Sequence, residues 1–234
     1  MKMGEDKFND GSTLKNSVPP ERAPWLDVAL SKEAIKFLWD AINHTDSHID
    51  ARKRLAGNIS KSEYISDKDN WFYNNVLKEL VETVFYRAWT NYYCFQIAKI
   101  APPPKFELEQ LWVNFQKQYE FNPPHFHGGD YSFVVFMKIP THWKEQHKLP
   151  FCVHSGRPVV SDFQFLSPGP SGNVNTNNFP LSPEDEGRML FFPARLTHQV
   201  FPFFGTEEER ITVSGNIIGQ TWRWSEKIRF REGV

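Results

Sequence analysis

Three consecutive prolines at positions 102–104 divide the sequence into two parts with different patterns. Before them, apolar residues at helical spacing predict helices over residues 31–44 and about 71–99, the first of them capped by Ser31. Proline cannot extend a helix, and after it the apolar runs become short and are bounded by proline and glycine, as in strands. Helices followed by strands indicate helices packed outside a two-sheet β-sandwich. The predicted strands cover residues 108–115, 131–139, 159–166, 188–192, 198–204 and 210–218, with a long loop at 167–180.

The length of 234 residues suffices for one full core and is short for two large ones. We therefore expect a polar N-terminal arm over residues 1–24 and a single domain over residues 25–234, which includes the N-terminal helices. A formal net charge of −1 gives no electrostatic reason to expect a nucleic-acid partner or a membrane surface. The apolar runs are too short for a membrane span, and no secretion signal is recognisable. Two cysteines, Cys94 and Cys152, do not make a disulfide framework, so the predicted location is the cytoplasm.

Two histidines separated by one residue, His125 and His127, form the first half of a candidate metal site. Side chains on an extended strand alternate between its faces, so both rings can lie on one side. Two prolines fix the backbone before the pair, and two glycines allow a tight turn after it. A third histidine, His198, opens a later strand and can complete the site. The alternative interpretation is two loop histidines and one hydrogen-bonded core histidine.

Arg210 begins the last predicted strand, where Thr212 and Ser214 share its face. Its guanidinium could bind a carboxylate with two parallel hydrogen bonds. Three metal-type ligands and such an arginine indicate a metal that works together with a small anionic cosubstrate. The alternative is an arginine at a sheet edge that pairs with the acidic turn at residues 207–209.

These residues resemble the Fe(II)- and 2-oxoglutarate-dependent dioxygenases, and more narrowly a subgroup of oxygenases found in marine bacteria and their phages. The resemblance runs from about residue 112 to residue 216. It implies a double-stranded β-helix, the jelly roll of cupin-like proteins, with the metal inside one mouth. It also implies Fe(II) and 2-oxoglutarate as cofactors, with Arg210 on the distal carboxylate and Thr212 beside it. The matching pieces are 112–114 (WVN), 122–127 (NPPHFH), the strand at 131–139, 193–198 (PARLTH) and 210–216 (RITVSGN).

One position departs from the usual pattern of this superfamily, which has His-x-Asp followed by a distant histidine. His127 stands where the aspartate is expected. Either His127 is the third ligand, or Asp130 supplies a carboxylate, or His127 lies outside the ligand set and leaves a position open. We favour three histidines, because the spacing places two rings on one face. A neutral ligand set would weaken Fe(II) binding and could admit Zn(II) or Ni(II).

The leading functional hypothesis is an oxidoreductase that hydroxylates a small molecule or a protein side chain and releases succinate and CO₂. The runner-up is a non-catalytic, metal-binding jelly-roll module, because this fold serves many roles. A homodimer is compatible with the sequence. The remaining histidines of the strand-rich part, His142, His147 and His154, are expected to face solvent.

Overall fold

The computed structural model describes residues 14–18, 24–44, 49–81 and 105–219. Within these ranges the chain is mainly β, and every pairing between strands is antiparallel. The strands are β1 (Leu14–Val18), β2 (Leu26–Leu30), β3 (Ile49–Asp50), β4 (Lys61–Tyr64), β5 (Phe106–Gln116), β6 (Asn122–His125), β7 (Tyr131–Lys138), β8 (Phe163–Pro168), β9 (Val174–Phe179), β10 (Arg188–Pro193), β11 (Thr197–Val200) and β12 (Arg210–Gly219).

The strands form two facing sheets, which is the double-stranded β-helix that the sequence predicts. The larger sheet has eight strands in the order β1-β2-β10-β7-β12-β5-β4-β3, and the smaller has four in the order β6-β11-β8-β9. Several neighbouring strands are far apart in sequence, as in β10 beside β7 and β12 beside β5. The predicted fold class is therefore confirmed.

Alternation along the central strand β7 separates two hydrophobic cores. Phe133 and Val135 belong to a core on the outer face of the larger sheet, with residues of the helices. Val134 and Phe136 point the other way and pack between the two sheets, against aromatic residues of β8 and β10. Both faces of the strand are thus buried, which explains its continuous apolar sequence.

The helices cover the outer face of the larger sheet, as predicted. Helix α1 (Lys32–Asn43) begins after Ser31, whose hydroxyl accepts a hydrogen bond from the Ala34 N–H at 3.1 Å. Its buried face lies in the outer core. Helix α2 begins at residue 71, its described part runs to residue 81, and it is π-helical over Tyr73–Leu77. Residues 82–99 of the predicted second helix lie outside the described residues. A short helix, α3 (Trp143–Gln146), follows β7.

Several segments differ from the sequence prediction, and two of them bear on the predicted loop and the predicted arm. The predicted loop at 167–180 contains β9, which pairs with β8 along its whole length after a turn at Gly172, where φ is +81°. The sequence of β9 is polar because it is the edge strand of the smaller sheet and most of its residues are exposed. Similarly, β1 lies within the predicted polar arm but pairs with β2. The division of the chain into an arm and one domain remains a prediction. None of the helices in the described ranges has the length and apolar character of a membrane span.

Candidate active site

Three histidines meet at the mouth between the two sheets. His125 ends β6, His127 follows in the next loop, and His198 lies on β11, directly opposite His125 in the strand register. One ring nitrogen from each histidine lies within 4.8 Å of the others, and the Nε2 atoms of His127 and His198 are 3.2 Å apart. The predicted set is therefore brought together by pairing between strands that are more than 70 residues apart. Among the described residues, no carboxylate or thiol joins this cluster.

Backbone carbonyl groups fix the tautomers of two of these rings. His125 Nδ1 lies 2.7 Å from the Pro123 carbonyl oxygen, and His198 Nδ1 lies 2.9 Å from that of Leu196. A carbonyl oxygen can only accept, so each Nδ1 carries the proton and donates it. The Nε2 atoms therefore keep their lone pairs, as a metal ligand requires.

Burial keeps the histidine cluster neutral. Loss of solvent, together with the nearby charge of His125, lowers the pKa of His127 to about 3. The same causes, with the charge of His127 added, place the pKa of His198 well below its ordinary value. Phe163 stacks on the His198 ring at 5.6 Å, and Phe192 meets the ring edge-on at 4.9 Å. The aromatic side chains thus exclude water and keep the imidazole rings unprotonated, so that no proton competes with a metal for the ring nitrogens.

Asp130, the alternative third ligand, is held elsewhere. Its Oδ2 atom accepts a hydrogen bond from the Gly219 N–H at 2.7 Å, at the end of β12. The turn before it requires Gly129, because φ there is +86° and a Cβ atom would lie 2.8 Å from the Ile217 carbonyl oxygen. Close packing of this turn on β12 directs the carboxylate to the backbone of that strand.

Arg210 lies at the other side of the same cavity and is completely buried. Its terminal nitrogen NH2 donates to the carbonyl oxygen of Ser161 at 3.0 Å and to the Ser161 hydroxyl at 2.5 Å. Among the described residues, NH1 makes only long contacts of 3.5 Å, to Gln116 Oε1 and to the Phe201 carbonyl oxygen, and Nε has no hydrogen-bond partner. Arg210 therefore lines the cavity with donor capacity that no described residue uses.

The acidic turn does not pair with Arg210 through any described contact. Glu208 forms an ion pair with Lys138 at 2.8 Å, and Glu207 accepts a hydrogen bond from Gln118. Thr212 and Ser214 line the cavity together with Arg210, whereas Val213 between them belongs to the outer core. The predicted shared face of β12 is thus present.

Several cavity residues were not identified from the sequence. On β5, Trp112, Asn114 and Gln116 face the cavity, and Ser62 on β4 donates a hydrogen bond to Asn114 Oδ1 at 2.7 Å. Asn114 and Gln116, polar side chains at alternate positions in the continuously buried half of this strand, are the signal that could have found them. A segment on the N-terminal side of β4 closes one wall of the cavity, with Arg52, Leu55, Ala56, Gly57 and Ile59.

One histidine differs from its predicted exposure. His147 was expected to face solvent, but its side chain is only 12% exposed, and its Nε2 atom lies 2.9 Å from the buried Asp162 carboxylate. His142 caps α3 by accepting a hydrogen bond from the Lys144 N–H, and His154 is exposed as expected.

Residues 110–216 match the model of one family, described as Putative 2OG-Fe(II) oxygenase. No curated protein matches the sequence.

Two solved structures are among those similar to this chain. A Pseudomonas putida prolyl-4-hydroxylase is 13% identical, with 84% of this chain and 93% of that chain covered and a TM-score of 0.47. HygX from Streptomyces hygroscopicus, solved with nickel, 2-oxoglutarate and hygromycin B bound, is 10% identical, with 84% and 83% covered and a TM-score of 0.49.

The family match spans every residue that the sequence analysis assigned to the site: His125, His127, His198, Arg210 and Thr212. The predicted enzyme class and cofactors are those of the family. The stretch from residue 110 to residue 216 thus matches the model of the 2OG-Fe(II) oxygenases, a family of oxidoreductases that depend on Fe(II) and 2-oxoglutarate, as the resemblance in the sequence implied.

Proposed function

We propose that this protein hydroxylates a substrate in a reaction that converts 2-oxoglutarate and dioxygen into succinate and CO₂. One observation carries the proposal. A cluster of three neutral histidines and a buried arginine with an unpartnered N–H line the same cavity. The first suits a divalent metal and the second suits a carboxylate, which together are what a metal-chelating keto diacid needs.

His125, His127 and His198 are the proposed ligands of the metal. The rings of His125 and His198 present Nε2 lone pairs, and His127 Nε2 lies 3.2 Å from His198 Nε2. Three protein ligands leave coordination positions for other molecules. Fe(II) bound there would supply the activation of dioxygen and the oxidative decarboxylation of 2-oxoglutarate. The protein contributes the ligands, their fixed tautomers and a cavity wall from which water is largely excluded.

Arg210 and Thr212 are the proposed binding residues for the distal carboxylate of 2-oxoglutarate. The Arg210 Nε–H is buried and has no hydrogen-bond partner in the described part of the chain, and buried donors in folded proteins nearly always have one. A carboxylate would satisfy this N–H, and Thr212 could add its hydroxyl from the same face of β12. The Phe203 ring, 4.9 Å from the guanidinium carbon, restricts the group from one side.

A metal-binding module without turnover is the second candidate. It is favoured by the lack of a carboxylate in the histidine cluster, because a neutral ligand set binds Fe(II) less firmly. The two candidates differ in whether 2-oxoglutarate is consumed when Fe(II) is bound.

The test uses protein purified without oxygen and loaded with Fe(II). Metal content is measured first, and succinate is then measured after 2-oxoglutarate and air are added. We expect about one Fe(II) per chain and slow succinate formation even without substrate. His125→Ala and His198→Ala should lose the bound metal and the succinate formation. His154 is exposed and lies outside the cluster, so His154→Ala should keep the metal and the succinate formation. Stoichiometric metal with no succinate would favour the non-catalytic module.

A further inference from the structure

Ser161 lies directly behind Arg210, in a backbone conformation that serine seldom adopts. Its φ is +72°, in the left-handed region, and the residue is completely buried. Two backbone hydrogen bonds hold this conformation. The Ser161 N–H donates to the Pro202 carbonyl at 2.9 Å, and the Phe201 N–H donates to the Asp162 carbonyl at 2.9 Å. Glycine would fit this position without strain, so the side chain of Ser161 calls for an explanation.

Both oxygen atoms of Ser161 point at one nitrogen of Arg210. The carbonyl oxygen and the hydroxyl accept from NH2 at 3.0 and 2.5 Å, whereas every other polar contact of the guanidinium is 3.5 Å long. Thr141 Oγ1 lies 3.4 Å from the Ser161 hydroxyl and could accept its proton, which leaves the hydroxyl lone pairs for the guanidinium. Ser161 is therefore the main anchor of the orientation of Arg210.

The next residue, Asp162, supplies negative charge to the same region. Its side chain is 1% exposed, and one carboxylate oxygen contacts His147 Nε2 while the other has no hydrogen-bond partner. Burial lowers the pKa of Arg210 to about 10, and the charge of Asp162 opposes this decrease. Arg210 thus remains a cation at neutral pH while Ser161 fixes its plane.

We infer that Ser161 is a positioning residue for the cosubstrate. Its left-handed backbone is retained because that conformation aims two acceptors at NH2 of Arg210 and leaves the unpartnered Nε–H and the weakly bonded NH1 group for the distal carboxylate. The inference rests on the proposed role of Arg210. It predicts that Ser161 acts only on ligands that carry this carboxylate.

The experiment compares two keto acids that chelate a metal in the same way. Protein loaded with Fe(II) under anaerobic conditions is titrated with 2-oxoglutarate and with 2-oxobutyrate, which lacks the distal carboxylate. Ser161→Gly should stay folded, because relief of the positive-φ strain offsets part of the stability lost with the hydroxyl. It should nevertheless bind 2-oxoglutarate about tenfold more weakly, since one charge-assisted hydrogen bond is lost. Its dissociation constant for 2-oxobutyrate should be unchanged.

Two further variants make the comparison complete. Ser161→Ala removes the hydroxyl while it keeps a side chain, and it should show the same selective loss if the glycine variant folds poorly. Asn70→Gly is the matched control, because Asn70 also has a positive φ, of +53°, but is exposed and lies outside the cavity. It should leave both dissociation constants unchanged.

The outcomes separate the inference from the proposed function. If Arg210→Met abolishes the preference for 2-oxoglutarate but neither Ser161 variant weakens its binding, the positioning role is refuted and the proposed function stands. If the Ser161 variants weaken both keto acids equally, the role is only structural, and the inference is likewise wrong. If Arg210→Met keeps the preference for 2-oxoglutarate, the proposed role of Arg210 fails, and the inference fails with it.

Discussion

Replacement of Arg210 by methionine should selectively abolish recognition of the distal carboxylate. Methionine matches much of the volume of the buried side chain and can pack against Phe203, but it donates no hydrogen bond. A bidentate carboxylate would lose two charge-assisted hydrogen bonds, each worth about 1.5–3 kcal/mol. Even the lower limit of their sum, about 3 kcal/mol, corresponds to a weakening of about a hundredfold. Arg210→Lys should recover only part of this affinity, because an ammonium group lacks the planar fork.

Calorimetric titration of 2-oxoglutarate into the anaerobic Fe(II)-loaded protein measures this loss directly. Arg157→Met is a suitable control, since Arg157 is an exposed arginine of the segment after α3. It should bind 2-oxoglutarate as the wild type does. Melting temperatures must be measured in parallel, because Arg210→Met leaves Asp162 and both Ser161 acceptors without their cation. Equal dissociation constants for the wild type and Arg210→Met, with both proteins folded, would refute the reasoning.

Three further predictions concern the metal cluster and its surroundings. His127→Asp should raise the affinity for Fe(II) relative to Zn(II), because it adds a carboxylate to a neutral set; unchanged competition between the two metals would contradict this. Asp130→Ala should keep full metal content but lower the free energy of unfolding by about 1–3 kcal/mol, since the Gly219 N–H loses its acceptor. Loss of metal from that variant would instead identify Asp130 as a ligand. In the metal-free protein, burial lowers the pKa of His198, so only the unfolded state takes up this proton below pH about 6.5. Stability should then fall by up to about 1.4 kcal/mol per pH unit as the pH decreases, and His198→Gln should show a smaller slope in chemical denaturation across this range.

Local patterns in the sequence determined those features that depend on the periodicity of a single element. Alternation along β12 predicted that Arg210 and Thr212 share a face, and the structure has this arrangement because side chains of a strand alternate regardless of its neighbours. The spacing of His125 and His127 also predicted two rings that lie together, although His127 lies in the loop after β6 and not on the strand itself. The capping residue Ser31 was readable because its hydrogen bond spans only three residues.

Only the tertiary structure decided which distant groups meet. The sequence allowed Asp130 as a metal ligand. In the structure its turn packs on the end of β12, and its carboxylate accepts a hydrogen bond from the Gly219 N–H instead. The polar sequence of β9 predicts a loop, and the segment is a strand because its backbone pairs with that of β8. Ser161 is 49 residues from Arg210 and has no local signature, because its role depends on the closure of two sheets around one cavity. Periodicity therefore fixes the face on which a side chain lies, whereas the register between remote strands fixes what that face meets.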